Sequence, residues 1–135
     1  MKKSKSFLIA DPDKHGVDLF ASLLKEFSPD AVVHTVSDGA QAVEWLDSCQ
    51  PSALPDAIIM DYSMPNMNGA EVLDHICRKP RYHLLAKFIL SAVSDKEYMD
   101  GCLHKGAIEY FIKPEETTGL RSIASRITRY VKAIS

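Results

Sequence analysis

The sequence predicts an α/β fold, a doubly wound sandwich in which helices cover both faces of one parallel sheet. Short apolar segments alternate five times with segments of helical periodicity along the 135 residues. Residues 6–10 and 57–60 are continuous apolar runs, as expected for strands that are buried on both faces. The length fits one domain at roughly 150 residues per domain. We therefore expect a single domain over residues 1–135, with its core over residues 6–133.

The first half of the chain predicts two strand–helix pairs. The apolar residues 6–10 form the first strand, and the turn-forming residues 28–30 introduce a second strand over 31–36. Ser37 or Asp38 is the expected N-cap of the second helix. The first helix is predicted over residues 17–27, because apolar side chains recur there with a helical period at Val17, Phe20, Leu23, Leu24 and Phe27.

The second half of the chain predicts three further strands, each followed by a helix. Lys79-Pro80 ends the third helix, because a residue before proline disfavours helical backbone. Gly106 stands at the C-terminal cap of the fourth helix. The predicted elements, in order, are the strand 57–60, the loop 61–68, the helix 70–78, the strand 87–91, the helix 95–104, the strand 107–112 and a last helix within 115–134.

Composition and charge exclude several classes of protein. The net charge is −2, from 16 Lys and Arg against 18 Asp and Glu, so nothing draws the chain as a whole to nucleic acid. No apolar run approaches the roughly 20 residues of a membrane-spanning helix. The apolar stretch behind the basic N-terminus is too short for a signal peptide, so we expect a cytoplasmic protein. Three cysteines without a Cys-x-x-Cys pair argue against a disulfide framework and predict reduced, buried thiols.

Polar side chains that can do chemistry stand at the ends of four predicted strands. Asp11 follows the first strand, Asp61 follows the third, Ser91 ends the fourth and Lys113 follows the fifth. The carboxyl ends of parallel strands meet at one edge of a sheet, where such folds bind their ligands. We therefore expect two carboxylates, a hydroxyl and an ammonium group to converge at that edge.

This combination of groups suits phosphoryl transfer. Clustered carboxylates repel each other and need a cation, and Mg²⁺ prefers oxygen ligands. A lysine ammonium holds phosphate, a serine hydroxyl donates to a phosphoryl oxygen, and an Asp carboxylate can attack phosphorus to form an aspartyl phosphate. The residues therefore predict in-line transfer onto Asp61, with Mg²⁺ and Lys113 neutralising charge.

A family resemblance is carried by residues 56–69. The segment reads DAIIMDYSMPNMNG, and it places a strand, an Asp, a Met-Pro pair and a Gly in order. This order resembles the receiver domains of two-component response regulators, in particular the single-domain receivers of the chemotaxis-regulator type. The resemblance covers about residues 6–133 and implies a flavodoxin-like (βα)5 sandwich with the strand order 2-1-3-4-5. Supporting matches are residues 7–11 (FLIAD), 37–42 (SDGAQA), 89–92 (ILSA) and 106–114 (GAIEYFIKP).

The resemblance implies a role for each residue at the strand edge. Asp61 would be the phosphoacceptor, and Mg²⁺ would bind to Asp11, Asp61 and the backbone carbonyl of Ser63. Lys113 and Ser91 would contact the phosphoryl group.

The resemblance also implies how the chain would act. Tyr110 would be a switch residue that turns inward as Ser91 moves toward the phosphate. A histidine kinase or histidine phosphotransfer protein would supply the phosphoryl group, and a downstream protein would be the target, without direct binding of nucleic acid. Catalysis would be limited to self-phosphorylation from small phosphodonors and autodephosphorylation. The residues after Pro114 suffice for one helix, so we expect a stand-alone receiver or the N-terminal part of a longer regulator.

The sequence departs from this family after the first strand. Such receivers usually carry two adjacent acids there, whereas Asp11 is followed by Pro12, and the next acid is Asp13. Either Asp13 reaches the metal site from a bent loop, or Asp11 and Asp61 suffice. Pro12 also supports a rival hypothesis, an interaction module that works without phosphorylation on a degenerate receiver fold. A phosphoaspartate hydrolase is a further alternative, disfavoured because Ser63 stands where that enzyme would need an Asp.

Overall fold

A parallel sheet forms the centre of the structure, a computed structural model that describes residues 4–134. The basic N-terminal residues 1–3, considered above with the signal peptide, lie outside the described residues, as does residue 135. The strands are β1 (Ser6–Ala10), β2 (Val32–Val36), β3 (Ala57–Met60), β4 (Ala86–Ser91) and β5 (Glu109–Ile112). They lie in the order β2-β1-β3-β4-β5 and all neighbours are parallel, which confirms the predicted topology.

One α-helix follows each strand along residues 4–134. The helices are α1 (Lys14–Phe27), α2 (Gly39–Ser48), α3 (Gly69–Cys77), α4 (Lys96–His104) and α5 (Thr117–Ala133). Short 3₁₀ turns at Pro51–Ala53 and Pro80–Tyr82 lead into β3 and β4. Among residues 4–134, no helix is long and apolar enough to cross a membrane.

Both faces of the sheet are buried, because successive side chains of each central strand enter different apolar clusters. Phe7 and Ile9 pack beneath α1 and α5, in what we call the α1–α5 cluster. Leu8 and Ala10 pack beneath the other three helices, in the α2–α4 cluster, which also contains Tyr110. Burial on both faces explains why continuous apolar runs, rather than alternating ones, predicted β1 and β3 correctly.

Two elements begin at different residues than predicted. The helix α1 begins at Lys14, three residues before Val17, because its first turn is polar and carries no apolar period. The strand β5 begins at Glu109, because Gly106 adopts a φ of 102° and Ala107 still belongs to the turn that ends α4. The bounds of β1 and β3 match the prediction, and the remaining boundaries agree with it to within two residues.

Side-chain caps define where α2 and α3 begin. Asp38, rather than Ser37, caps α2, because its carboxylate accepts the backbone N–H of Gln41 at 2.7 Å. Asn68 and Glu71 form a reciprocal capping box at the start of α3. These caps anchor the two helices that flank the loop between β3 and α3.

The three thiols are free, as predicted, but only one is buried. Cys102 lies in the α2–α4 cluster, whereas Cys49 is half-buried and Cys77 is exposed. The prediction of buried thiols is therefore wrong for two of the three. Both of these residues stand at the carboxyl ends of helices, where the chain leaves the core.

Candidate functional site

Lys113 lies between two carboxylates at the carboxyl edge of the sheet. Its Nζ atom is 2.8 Å from Oδ2 of Asp11 and 3.6 Å from Oδ2 of Asp61. Asp11 and Asp61 follow the paired residues Ala10 and Met60, so the two carboxylates extend side by side from β1 and β3. The structure thus brings together three of the predicted site residues.

Burial strengthens the electrostatic coupling of these groups. Asp11 and Asp61 are each 9% exposed. Burial alone would lower the pKa of Lys113, but the hydrogen bond and charge of Asp11, together with the charges of Asp61 and Asp13, outweigh it and raise this pKa. The lysine therefore stays protonated and offers a fixed positive charge beside Asp61.

Ser91 and Tyr110 meet at the backbone of Val93. The hydroxyl oxygen of the fully buried Ser91 accepts the N–H of Val93 at 3.2 Å, and the Tyr110 hydroxyl donates to the Val93 carbonyl at 2.6 Å. Tyr110 is 8% exposed and therefore points inward. The role of Val93 was not predicted. Both contacts use its backbone N–H and carbonyl, which every residue except proline has, so its side chain gives no signal in the sequence.

The loop between β3 and α3 is tied to the helix α2. Asn66 adopts a φ of 68°, and its side-chain amide donates to Oδ2 of Asp38 at 3.0 Å. A Cβ atom at Gly39 would lie 2.2 Å from the carbonyl oxygen of Met67, so only glycine allows this close approach. Nearer to the site, the backbone N–H of Ser63, whose carbonyl is the predicted metal ligand, donates to Oδ1 of Asp61 at 3.4 Å.

An aromatic stack links this loop to α4. The rings of Tyr62 and Tyr98 lie 5.1 Å apart and are nearly parallel. Tyr62 directly follows Asp61 in the chain. The stack is therefore only one residue away from the carboxylate of Asp61 in sequence. The sequence offered no signal for this contact, because the two tyrosines are far apart along the chain.

Pro12 and Asp13 are exposed beside the buried Asp11. The backbone N–H of Asp13 donates to Oδ1 of Asp11 at 2.8 Å. Asp13 also lines, with Asp11, Asp61 and Lys113, a pocket of about 150 Å³ between α1 and α5. Among residues 4–134, no three His, Cys, Asp or Glu side chains stand close enough together to hold a metal ion as they are.

The donor groups nevertheless suit a hard divalent cation. Asp11 and Asp61 present carboxylate oxygens, and the ammonium group of Lys113 already occupies the space between them as a cation would. The predicted third ligand, the carbonyl of Ser63, is also an oxygen. Oxygen ligands of this kind are those that Mg²⁺ binds in proteins. The residues therefore fit Mg²⁺ by their chemistry.

Comparison with known proteins identifies relatives in sequence and in fold. The two-component response regulator ARR3 of Arabidopsis thaliana is 31% identical over 107 residues, which cover 74% of this chain and 46% of ARR3. The phosphorylated cyanobacterial phytochrome response regulator RcpA superposes with a TM-score of 0.89 at 21% identity, over 98% of this chain and 97% of RcpA. The Mn²⁺-bound response regulator Rcp1 gives 0.83 at 21% identity, over 93% of each chain.

These likenesses differ in what they cover. The two solved structures share the fold, while the chain spans only 31% and 46% of the length of the first two curated relatives that it matches. The family model described as the response regulator receiver domain matches residues 7–125, a range that contains Asp11, Asp61, Ser91 and Lys113. On this match over most of its length, the chain belongs to the family of response regulator receiver domains.

Proposed function

We propose that this chain is a phosphoacceptor switch of a two-component phosphorelay. Asp61 receives a phosphoryl group from a histidine kinase or a histidine phosphotransfer protein, and the phosphorylated chain signals by contact with a downstream protein. The observation that carries the proposal is the placement of Lys113 between the buried carboxylates of Asp11 and Asp61. A nucleophile and a fixed positive charge are thereby held side by side.

The proposed reaction is an in-line displacement. An oxygen of Asp61 attacks phosphorus, the new P–O bond forms as the P–N bond of phosphohistidine breaks, and the electron pair passes to the imidazole nitrogen. Lys113 stabilises the charge on the phosphoryl oxygens. Bound Mg²⁺ would supply further positive charge, and Asp11, Asp61 and the carbonyl of Ser63 would hold it. The Mn²⁺ bound to the similar Rcp1 supports such a site.

Ser91 and Tyr110 are the proposed switch. The Ser91 hydroxyl is bonded to Val93 in this structure, and it would leave that bond to donate to a phosphoryl oxygen. Tyr110 holds the carbonyl of the same residue. A movement of Ser91 would therefore shift Val93 and the segment that leads into α4. This segment would then present an altered surface to the target.

Pro12 supports the second candidate, an interaction module that does not need phosphorylation. Both carboxylate oxygens of Asp11 already accept hydrogen bonds, from Asp13 and Lys113, so the edge of the sheet is stable without a ligand. In either case we propose a signalling protein rather than a metabolic enzyme, with activity limited to self-phosphorylation and autodephosphorylation. The free thiols are consistent with a cytoplasmic location, which is part of this proposal.

Labelling with acetyl phosphate, with and without Mg²⁺, tests the proposal. We expect Mg²⁺-dependent phosphorylation of the wild-type chain, its loss in Asp61→Asn, and its retention in Asp18→Asn, an exposed acid on α1. Mass spectrometry of the intact protein detects the added phosphoryl group. Labelling of Asp61→Asn would refute the assigned acceptor, and a wild-type chain that stays unlabelled would favour the interaction module.

A further inference from the structure

We infer that the stacked rings of Tyr62 and Tyr98 form a latch that couples the Asp61 carboxylate to the start of α4. While the free carboxylate holds the turn that follows β3, the rings stay stacked and the first turn of α4 stays docked. When a phosphoryl group occupies the carboxylate, the stack loosens and that turn is released. The inference deepens the proposed function, on which it rests, because it names a route of regulation from Asp61 that does not pass through Ser91 and Tyr110.

The amino-terminal half of α4 is held to the rest of the chain by few side chains. Its N-cap, Asp95, makes no side-chain capping bond within residues 4–134. Residues 95–98 are all exposed, Met99 is half-buried, and of the nine residues of α4, which are all described, only Cys102 is buried. Gly101 weakens the helix further, because glycine disfavours helical backbone and nothing lies within 4 Å of a Cβ placed there to require it. The position of the first turn therefore depends on what its exposed side chains contact.

The stack provides such a contact. Tyr98 lies in the first turn of α4, and its ring is 5.1 Å from that of Tyr62 with an angle of 23° between the planes, within the range of favourable aromatic pairs. Tyr62 is half-buried and packs against the α2–α4 cluster. Tyr98 is 46% exposed, so the core does not enclose its ring. Tyr62 therefore joins the first turn of the helix to the body of the chain.

The Asp61 side chain closes a turn around Tyr62. Its Oδ1 atom accepts the backbone N–H of Ser63 at 3.4 Å, two residues further on, which is the pattern of an Asx turn with Tyr62 in the middle. The distance exceeds the usual upper limit of about 3.2 Å for such a bond, so the contact is weak. A phosphoryl group on the carboxylate would compete with it, and the backbone of Tyr62, which directs the ring, would then be free to rotate.

The backbone on both sides of this turn is fixed. The N–H of Asp61 donates to the carbonyl of Ala10 at 2.9 Å, and the carbonyl of Tyr62 accepts the N–H of Gly69 at 2.8 Å. A Cβ atom at Gly69 would lie 2.9 Å from the carbonyl oxygen of Asp61, so the start of α3 is in direct contact with this backbone. Because the loop cannot shift as a whole, a change at the Asp61 carboxylate acts on the orientation of the Tyr62 ring.

Amide hydrogen exchange, followed by NMR, measures how often the first turn of α4 opens. The amides of residues 99–102 report on it, since that of Met99 bonds to the carbonyl of Asp95 and the next three bond within the following turn. We expect Tyr98→Ala to speed their exchange about fivefold, within the roughly two- to tenfold range that a stacked pair represents. Alanine favours helix more than tyrosine does, so faster exchange cannot come from helix propensity.

Control variants isolate the stack. Tyr98→Phe keeps an aromatic ring and should exchange like the wild type. Leu103→Ala, at another exposed position of α4, should change the rates less than about twofold. Tyr62→Leu keeps apolar volume without the stack and should speed exchange as Tyr98→Ala does. The double variant of Tyr62→Leu and Tyr98→Ala should be no faster than either single variant, because both remove one contact.

A pair of substitutions at Asp61 tests the coupling without a phosphodonor. Asp61→Ala and Asp61→Asn both remove the negative charge, but only asparagine keeps an oxygen that can accept the N–H of Ser63. We expect Asp61→Ala to speed exchange of residues 99–102 about threefold, toward the lower end of the range for one hydrogen bond, and Asp61→Asn to leave it unchanged. Asp61→Ala should add nothing in the Tyr98→Ala background. A wild-type chain kept phosphorylated by acetyl phosphate should show the same acceleration.

Unchanged exchange in Tyr98→Ala would overturn the inference, as would additive effects of Tyr62→Leu and Tyr98→Ala or equal rates in Asp61→Ala and Asp61→Asn. A phosphorylated wild-type chain whose α4 amides exchange no faster would refute release by the phosphoryl group. Acetyl phosphate labelling separates these failures from failure of the proposed function. If Tyr98→Ala exchanges like the wild type and both are labelled, the latch fails and the phosphoacceptor function stands. If the wild type stays unlabelled, the regulatory role of the latch fails together with the proposed function.

Discussion

The ammonium group of Lys113 is closer to Asp11, at 2.8 Å, than to Asp61, at 3.6 Å. The lysine is therefore held mainly by the acid that follows β1, while its distance to Asp61 is longer than a hydrogen bond. Removal of the lysine would affect both acids, because each is buried and depends on the same positive charge.

Replacing Lys113 with Met tests this arrangement. We expect the free energy of unfolding to fall by about 1–3 kcal/mol, the range for a hydrogen bond to a charged group. Labelling of Asp61 should fall about a hundredfold, because the reaction loses a preorganised positive charge. Urea unfolding and acetyl phosphate labelling measure the two effects. Lys105→Met is the control, since Lys105 pairs with Asp74 away from the site; an equal loss of labelling there would contradict the prediction.

A second prediction concerns Asp47, which bridges α2 to the segment before β4. Burial would raise the pKa of Asp47, but hydrogen bonds from Tyr82 and His75 and the charges of His75 and Lys79 lower it. Because this pKa is lowered in the folded chain, the stabilisation is present above the pKa of an unfolded Asp, about 3.9. It is lost as the pH falls through the folded-state pKa.

Tyr82→Phe removes the hydroxyl that donates to Asp47 from a fully buried ring. We expect a loss of about 1–3 kcal/mol of unfolding free energy at pH 7. The difference from wild type should shrink below about pH 4, as Asp47 becomes protonated. Urea unfolding at a series of pH values measures it. Tyr98→Phe, on the surface of α4, should change stability by less than about 0.5 kcal/mol. A pH-independent effect at Tyr82 would contradict this explanation.

Gly39→Ala should displace the loop that follows Asp61, although Gly39 itself lies at the start of α2. The added Cβ would collide with the backbone carbonyl of Met67 at 2.2 Å, and a backbone atom cannot move aside cheaply. We expect a loss of about 1–3 kcal/mol in unfolding free energy, as for overpacking, and slower labelling of Asp61. Gly101→Ala should instead gain about 1 kcal/mol from helix propensity. Thermal unfolding of both variants gives the comparison; similar shifts would show that the close approach to Met67 is not required.

Tyr110→Phe should release the segment between β4 and α4. The substitution removes the 2.6 Å hydrogen bond to the Val93 carbonyl and should cost about 1 kcal/mol. We expect amide chemical shifts of residues 92–95 to move, because Ser91 and Tyr110 hold Val93 from both sides. Tyr130→Phe on α5 is the control. Unchanged shifts in residues 92–95 would show that Tyr110 does not restrain this segment.

The residues at the strand ends were predictable for a simple reason. Continuous apolar runs mark β1 and β3, and the first polar residue after each run must lie at the edge of the sheet. Asp11 and Asp61 were located in this way, and the structure places Lys113 between them as the prediction requires. The strand order came from the family resemblance, and the structure confirms it.

Several contacts between segments that are distant in sequence were not predictable. The carbonyl of Val93, the tie between Asp38 and Asn66 and the approach of Met67 to Gly39 all join segments far apart along the chain. The start of α1 was missed for a different reason, because solvent-exposed turns carry no apolar period. Patterns of apolar residues predict well which segments are buried, but they do not predict which loops contact each other.

Tyr110 belongs to the site and to the apolar α2–α4 cluster at the same time. If its ring swings outward, it leaves behind a void in that cluster as well as a broken hydrogen bond. An outward movement of the ring would therefore depend on the volume available in this cluster, which side chains distant from Asp61 also determine. Cys102, fully buried in the same cluster, is one such side chain. If the proposed switch holds, the interior of this receiver would contribute to signalling, and a substitution at Cys102 would change how readily the Tyr110 ring moves.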